Sequence, residues 1–144
     1  MIGLPARGYE SEATLGRHLT SAFRDLKAKG QIISFVHIPN EGKRSHGERK
    51  KQGQEGLIRG ASDYDLKLDW RLYVVASLAI EVKTIKGTLS KEQARYLQTV
   101  HRPEAGHQAV VIQETTGREC VERLHMILDS LKRKEATHEA SNSI

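Results

Sequence analysis

Two short stretches decide how this chain is read: Gly60-Ala61-Ser62-Asp63-Tyr64-Asp65-Leu66 and Leu78-Ala79-Ile80-Glu81-Val82-Lys83-Thr84. Both alternate apolar and polar residues, the period of a half-buried strand. In the first, Tyr64, Leu66 and Leu68 share one face, and Asp63, Asp65 and Lys67 share the other. In the second, Leu78, Ile80 and Val82 share a face, which sends Glu81 and Lys83 to the opposite side. If the two strands are neighbours, Asp63, Glu81 and Lys83 converge. Two carboxylates and an ammonium on one sheet suit a hard divalent cation and a phosphate. Taken alone, a carboxylate and a lysine two apart on a strand are most often a solvated face with weak charge pairing.

Upstream of these strands, Ser11 reads as the N-cap of a first helix, with Glu12 in its opening turn. Leu15, Leu19, Phe23 and Leu26 form its apolar stripe, and Gly30 stops it. Glu12 lies on or beside that stripe. It is either a capping carboxylate or an acid reaching the site. Residues 31–38, rich in Ile, Val and Phe, predict a strand ending at the turn signal Pro39-Asn40. Residues 41–54 are nearly all polar and hold Lys43, Arg44, Arg49, Lys50 and Lys51. Composition leaves this segment evenly poised between a solvated loop and a phosphate-binding arm.

Asp69-Trp70-Arg71 predicts a turn, residues 72–76 a further strand, and Lys86-Gly87 the end of the Glu81 strand. Ser90 with Gln93 three residues on fits a capping box for a helix to about Val100, with Ala94, Leu97 and Val100 inward. A turn at residues 103–106, a buried strand over 108–113 and a last helix marked by Val121, Leu124, Leu128 and Leu131 follow. The order predicts an α/β fold, a central mixed sheet flanked by helices, in one domain over residues 1–133. Residues 134–144 predict a polar, frayed tail.

The chain has 144 residues, 28% of them charged and 38% hydrophobic, values of a folded globular domain with a real core. No apolar run reaches the length of a membrane span and no signal-peptide pattern opens the chain, so a cytoplasmic protein with no membrane partner is expected. The lone Cys120 excludes an internal disulfide and argues against a cysteine-based zinc site. A net charge of +5 favours an anionic partner, of which nucleic acid is the commonest. Aromatic residues are only 5%, which argues against base stacking on single strands and so against an RNA-binding role.

Four segments in order resemble one family. His37-Ile38-Pro39-Asn40-Glu41-Gly42-Lys43-Arg44-Ser45 is similar to an H-x-P-N-x-G-K-R-S segment, and Gly56-Leu57-Ile58-Arg59-Gly60-Ala61-Ser62-Asp63 to a G-x-x-x-G-x-P-D turn. Ile80-Glu81-Val82-Lys83-Thr84 resembles an I-E-x-K-T core, and Lys86-Gly87-Thr88-Leu89-Ser90-Lys91-Glu92-Gln93 a K-G-x-L-S-x-x-Q segment. Together they resemble the virus-type replication-repair nuclease domain, VRR-NUC, over about residues 10–131. This is a branch of the PD-(D/E)xK superfamily, which has the restriction-endonuclease-like fold. Each segment alone is weak; four in sequence are specific. Ser62 replaces the proline of the turn and Tyr96 the commoner tryptophan three residues after the glutamine.

The resemblance implies a Mg²⁺- or Mn²⁺-dependent DNA endonuclease. Asp63 and Glu81 would hold the ion, with the Val82 carbonyl as an extra ligand. Lys83 would hold the attacking water and offset charge on the phosphate. Glu12, with Glu10 as the alternative, would be an additional acid, and Gln93 would support the site by hydrogen bonding. Asn40, Lys43 and Arg44, with Arg49, Lys50 and Lys51, become the expected DNA contacts. Stand-alone copies resemble phage and bacterial nucleases acting on branched, nicked or Holliday-junction-like DNA in repair, and a homodimer would serve two strands. The competing reading is a catalytically silent DNA-binding or assembly module of the same fold. His37, His46, His101 and His107 show no metal-ligand spacing, although His37 could contact phosphate. Cys120 reads as a small apolar residue.

Overall fold

The computed structural model describes residues 4–39 and 60–134. The expected DNA contacts Asn40, Lys43, Arg44, Arg49, Lys50 and Lys51, together with His46 and the tail from residue 135, lie outside the described residues.

Helix α1 spans Glu12–Ala28. Its first orphan amides are met by Ser11, whose side chain accepts the Thr14 amide, and its buried stripe is Leu15, Leu19, Phe23 and Leu26. Strands β1 (Ser34–His37), β2 (Tyr64–Lys67), β3 (Ser77–Thr84) and β4 (His107–Glu114) form one sheet in the order β1-β2-β3-β4. The pairings β1–β2 and β2–β3 are antiparallel, and β3–β4 is parallel. Helix α2 (Lys91–Val100) makes the crossover from β3 to β4, and α3 (Gly117–Leu131) closes the described chain. The sheet is therefore mixed and flanked by helices, as the sequence pattern predicts.

Ile80 and Val82 of β3 and Leu66 of β2 join α1 and α3 in the core, with Leu15, Leu19, Phe23, Leu124 and Leu128 among its members. The Phe23 ring sits edge-on to Tyr64 at 5.2 Å and tilted against Phe35 at 5.4 Å. Each such side chain contributes about 1.5–3 kcal/mol on burial. Because β3 alternates, Glu81 points to the other face, and that face is where α2 lies.

Two expectations need correction. Residues 72–76 do not form a strand. The alternation is real, since Tyr73 and Val75 are buried while Leu72 and Val74 are exposed. But Asp69 draws the Leu72 and Tyr73 amides into a turn, and the segment then pairs with the end of α3: Val74 N–H donates to Leu131 O and Arg133 N–H to Leu72 O, both at 2.8 Å. β4 is also less buried than its composition predicts, with Val111 exposed and only Ile112 fully buried. Among the described residues it is a sheet edge, flanked only by β3.

Candidate active site

The β2–β3 register pairs Tyr64 with Ile80. Continued one step, it sets Asp63 opposite Glu81. Three local features fix the Asp63 turn. Gly60 has φ +80°, a left-handed conformation that favours glycine, and a Cβ there would stand 2.5 Å from the Glu92 backbone. Ser62 is fully buried and its hydroxyl donates to the Tyr64 carbonyl at 3.3 Å, so a hydrogen bond closes the turn. The Val82 amide then donates to Asp63 Oδ2 at 2.7 Å, holding the carboxylate against the backbone between Glu81 and Lys83.

Glu81 is 1% exposed. Its Oε2 accepts from Gln93 Nε2 at 2.9 Å and lies 3.7 Å from Lys83 Nζ, while Oε1 is buried without a hydrogen-bond partner among the described residues. An unpaired buried acceptor costs on the order of 1–3 kcal/mol. Gln93 is positioned by the predicted capping box: Ser90 Oγ accepts the Gln93 amide and Gln93 Oε1 accepts the Ser90 amide. One side chain therefore caps α2 with its oxygen and holds Glu81 with its nitrogen.

Burial pushes the Glu81 carboxyl up to about 8, helped by the neighbouring Asp63 charge and opposed by Lys83. Burial also raises Asp63, opposed first by the Val82 hydrogen bond, with the Glu12 charge adding to the rise. Two buried acids this close favour taking up a positive charge, a proton or a cation.

The donor set fits a hard divalent ion. Two carboxylates would supply oxygen ligands, and Mg²⁺ needs only one or two because it keeps several waters. The unpartnered Glu81 Oε1 is the acceptor such an ion would satisfy. Among the described residues, no group of three His, Cys, Asp or Glu side chains is assembled as a metal cage. Glu12 instead lines a groove of about 640 Å³ shared with Asp63, Tyr64 and Val82. Its rival Glu10 is engaged elsewhere, accepting the Gly117 amide at 2.6 Å at the start of α3.

The same groove reveals residues that sequence reasoning missed. These are Arg17, Thr20 and Arg24 of α1, which line it beside His37 of β1, already a candidate phosphate contact by sequence. His37 is stacked on Tyr64 at 4.9 Å. The signal was present in the spacing of Arg17, Thr20 and Arg24, which places them on one side of α1 next to the buried stripe. Cys120 is fully buried and its thiol is pushed up to about 11 by burial, which fits the expected inert packing role. No described helix is long and apolar enough to cross a membrane.

No known protein family, curated protein or solved structure matches this chain.

Proposed function

We propose that this protein is a Mg²⁺- or Mn²⁺-dependent DNA endonuclease of the VRR-NUC type with a restriction-endonuclease-like fold. The observation that carries the reading is the set Asp63, Glu81, Lys83 and Gln93 built around one backbone link, the Val82 amide on Asp63. A buried Glu81 whose Oε1 has no partner among the described residues, set beside a second acid, costs stability in a small domain, whereas it is what a cation site requires.

Asp63, Glu81 and the Val82 carbonyl would hold the ion, with Glu12 as an additional acid binding it directly or through water. The ion supplies charge neutralisation at the phosphate and a lower pKa for bound water. The chain's own residues do the rest. Gln93 fixes the Glu81 rotamer through Oε2 and leaves Oε1 for the ion. The Val82 amide fixes Asp63 in the same way and leaves Oδ1. Lys83, 13% exposed, offers its ammonium to the attacking water and to the charge that builds on the phosphate oxygens. The substrate we favour is branched, nicked or Holliday-junction-like DNA, and a homodimer would present two such sites to two strands.

The test is cleavage of labelled supercoiled plasmid and a synthetic four-way junction in Mg²⁺, Mn²⁺ or EDTA by the wild type and Lys83→Ala. Metal-dependent cutting that disappears in the variant supports the reading. Binding without cutting, equal in both proteins, replaces it with the silent DNA-binding module. Sedimentation at several concentrations checks the dimer.

A further inference from the structure

The groove beside Asp63 has a polarity that its acids alone do not explain. At one end stand Glu12 and Asp63; along its wall run Arg17, Thr20 and Arg24; His37 stacked on Tyr64 forms part of the opposite side. Tyr64 is buried, and its hydroxyl donates to the Gly16 carbonyl at 3.4 Å. A Cβ at position 16 would stand 2.7 Å from that hydroxyl, so the glycine makes room for the tip of Tyr64 against α1.

Arg17 and Arg24 are seven residues apart on α1, about 10 Å along the helix axis. An unpaired strand is more extended than the about 3.4 Å per nucleotide of a strand within a duplex, so the two guanidinium groups reach neighbouring phosphates. Guanidinium forks and a threonine hydroxyl are donors matched to phosphate oxygens, and they carry no sequence code. Among the described residues the groove holds about 640 Å³; spread over the roughly 10 Å between Arg17 and Arg24, that is room for one backbone and too little for a whole duplex.

We propose that the α1 face bearing Arg17, Thr20 and Arg24, with His37 opposite, is the track on which a single DNA strand lies, its backbone running from Arg24 toward Asp63. This deepens the nuclease reading and rests on it for the direction of the strand. It adds contacts separate from the basic segment at residues 41–54. The arginines bind the phosphates that flank the one held at Asp63 and Glu81, and thereby position that phosphate.

The experiment is fluorescence anisotropy of the full chain with a short fluorescein-labelled single strand and the corresponding duplex, in EDTA, over a salt series. The proteins are wild type, Arg17→Ala/Arg24→Ala and Arg71→Ala. Arg71 is an exposed arginine paired with Asp69 at the opposite end of β2, so its variant removes charge away from the groove. The double variant is expected to bind the single strand roughly tenfold more weakly. Its slope of log affinity against log salt should fall by about 0.7 per arginine lost, with Arg71→Ala near wild type. Both arginines are exposed, so folding is expected to be unaffected, and circular dichroism checks it. Equal affinity and slope for the double variant and wild type overturn the track. So does an effect confined to the duplex, or no binding of the single strand by any of the proteins. These readings need no cleavage. A lost slope with no metal-dependent cutting keeps the track and rejects the nuclease; an unchanged slope with cutting that needs Lys83 does the reverse.

Discussion

The Val82 amide donates to Asp63 Oδ2 at 2.7 Å, and through that bond the end of β2 is tied to the peptide that joins Glu81 to Lys83. One hydrogen bond thus sets the separation of the two acids and leaves each with a free oxygen. It also opposes, without cancelling, the rise that burial imposes on Asp63. The site is built so that a proton or a cation, but not empty space, completes it.

The first consequence concerns pH. The Glu81 carboxyl lies at about 8 in the folded chain against an ordinary 4.5. Between those values the folded state holds a proton that the unfolded state has released. Stability from this group is therefore full below about pH 4.5 and is lost as pH rises through about 8. Asp63, also raised, acts in the same direction. Glu81→Gln, which keeps the shape and carries no charge, should raise the metal-free Tm at pH 8 and flatten its dependence on pH between 5 and 8. Mg²⁺ should raise the wild-type Tm more at pH 8 than at pH 6, because the ion competes with the proton, and should leave Glu81→Gln unmoved. Calorimetry with Mg²⁺ or EDTA decides it; an equal Mg²⁺ shift in both proteins would place the ion elsewhere.

Lys83 stands 3.7 Å from Glu81 and is largely buried, so its ammonium serves both the acid and the phosphate. Lys83→Ala should reduce cleavage by about a hundredfold to a thousandfold, the range for losing one group that stabilises transition-state charge. Lys83→Arg should restore little, since a planar fork does not reproduce a compact point charge. Single-turnover cleavage under saturating DNA separates this from weaker binding, which should change little in either variant.

Much of this was legible before any coordinates. The capping box at Ser90 and Gln93 is a local signal that local hydrogen bonds fix, whereas the alternation around Glu81 announces a strand that pairs with β2 and β4 and is buried on both its faces. Residues 72–76 alternate just as well, yet their partner is the end of α3, about sixty residues downstream, which no local pattern announces. The groove was hidden for the same reason. Arg17 and Arg24 look like ordinary solvated arginines until β1 and β2 bring His37 and Asp63 alongside them. Glu10 and Glu12 could not be separated by sequence because the choice depends on α3, whose first amide takes Glu10.

Gly60 offers a test of how the Asp63 turn is held. Its φ of +80° disfavours any side chain, and a Cβ would press on the Glu92 backbone at 2.5 Å. Gly60→Ala should cost more than about 1 kcal/mol, since both the conformation and the space oppose it. The same change should displace the start of α2 and so loosen Gln93 from Glu81. Chemical denaturation and Mg²⁺ affinity should therefore fall together; a stability loss with unchanged Mg²⁺ affinity would disconnect the turn from the ion site.

Gln93 performs two tasks that a pair of variants can separate. Its Oε1 accepts the Ser90 amide at 2.8 Å, and its Nε2 donates to Glu81 Oε2 at 2.9 Å. Ser90→Ala removes the hydroxyl that accepts the Gln93 amide and should cost about 1 kcal/mol of stability while leaving Glu81 held. Gln93→Ala should cost a similar amount by opening the other half of the capping box. Only Gln93→Ala also frees Glu81, and loss of such a supporting partner lowers metal affinity or activity by about tenfold to a hundredfold. Cleavage rates measured with Mg²⁺ titrated well below and well above saturation distinguish the two. Equal activity in Ser90→Ala and Gln93→Ala would reduce Gln93 to a helix cap; a drop confined to Gln93→Ala and eased by excess Mg²⁺ makes it the residue that positions Glu81 for the ion.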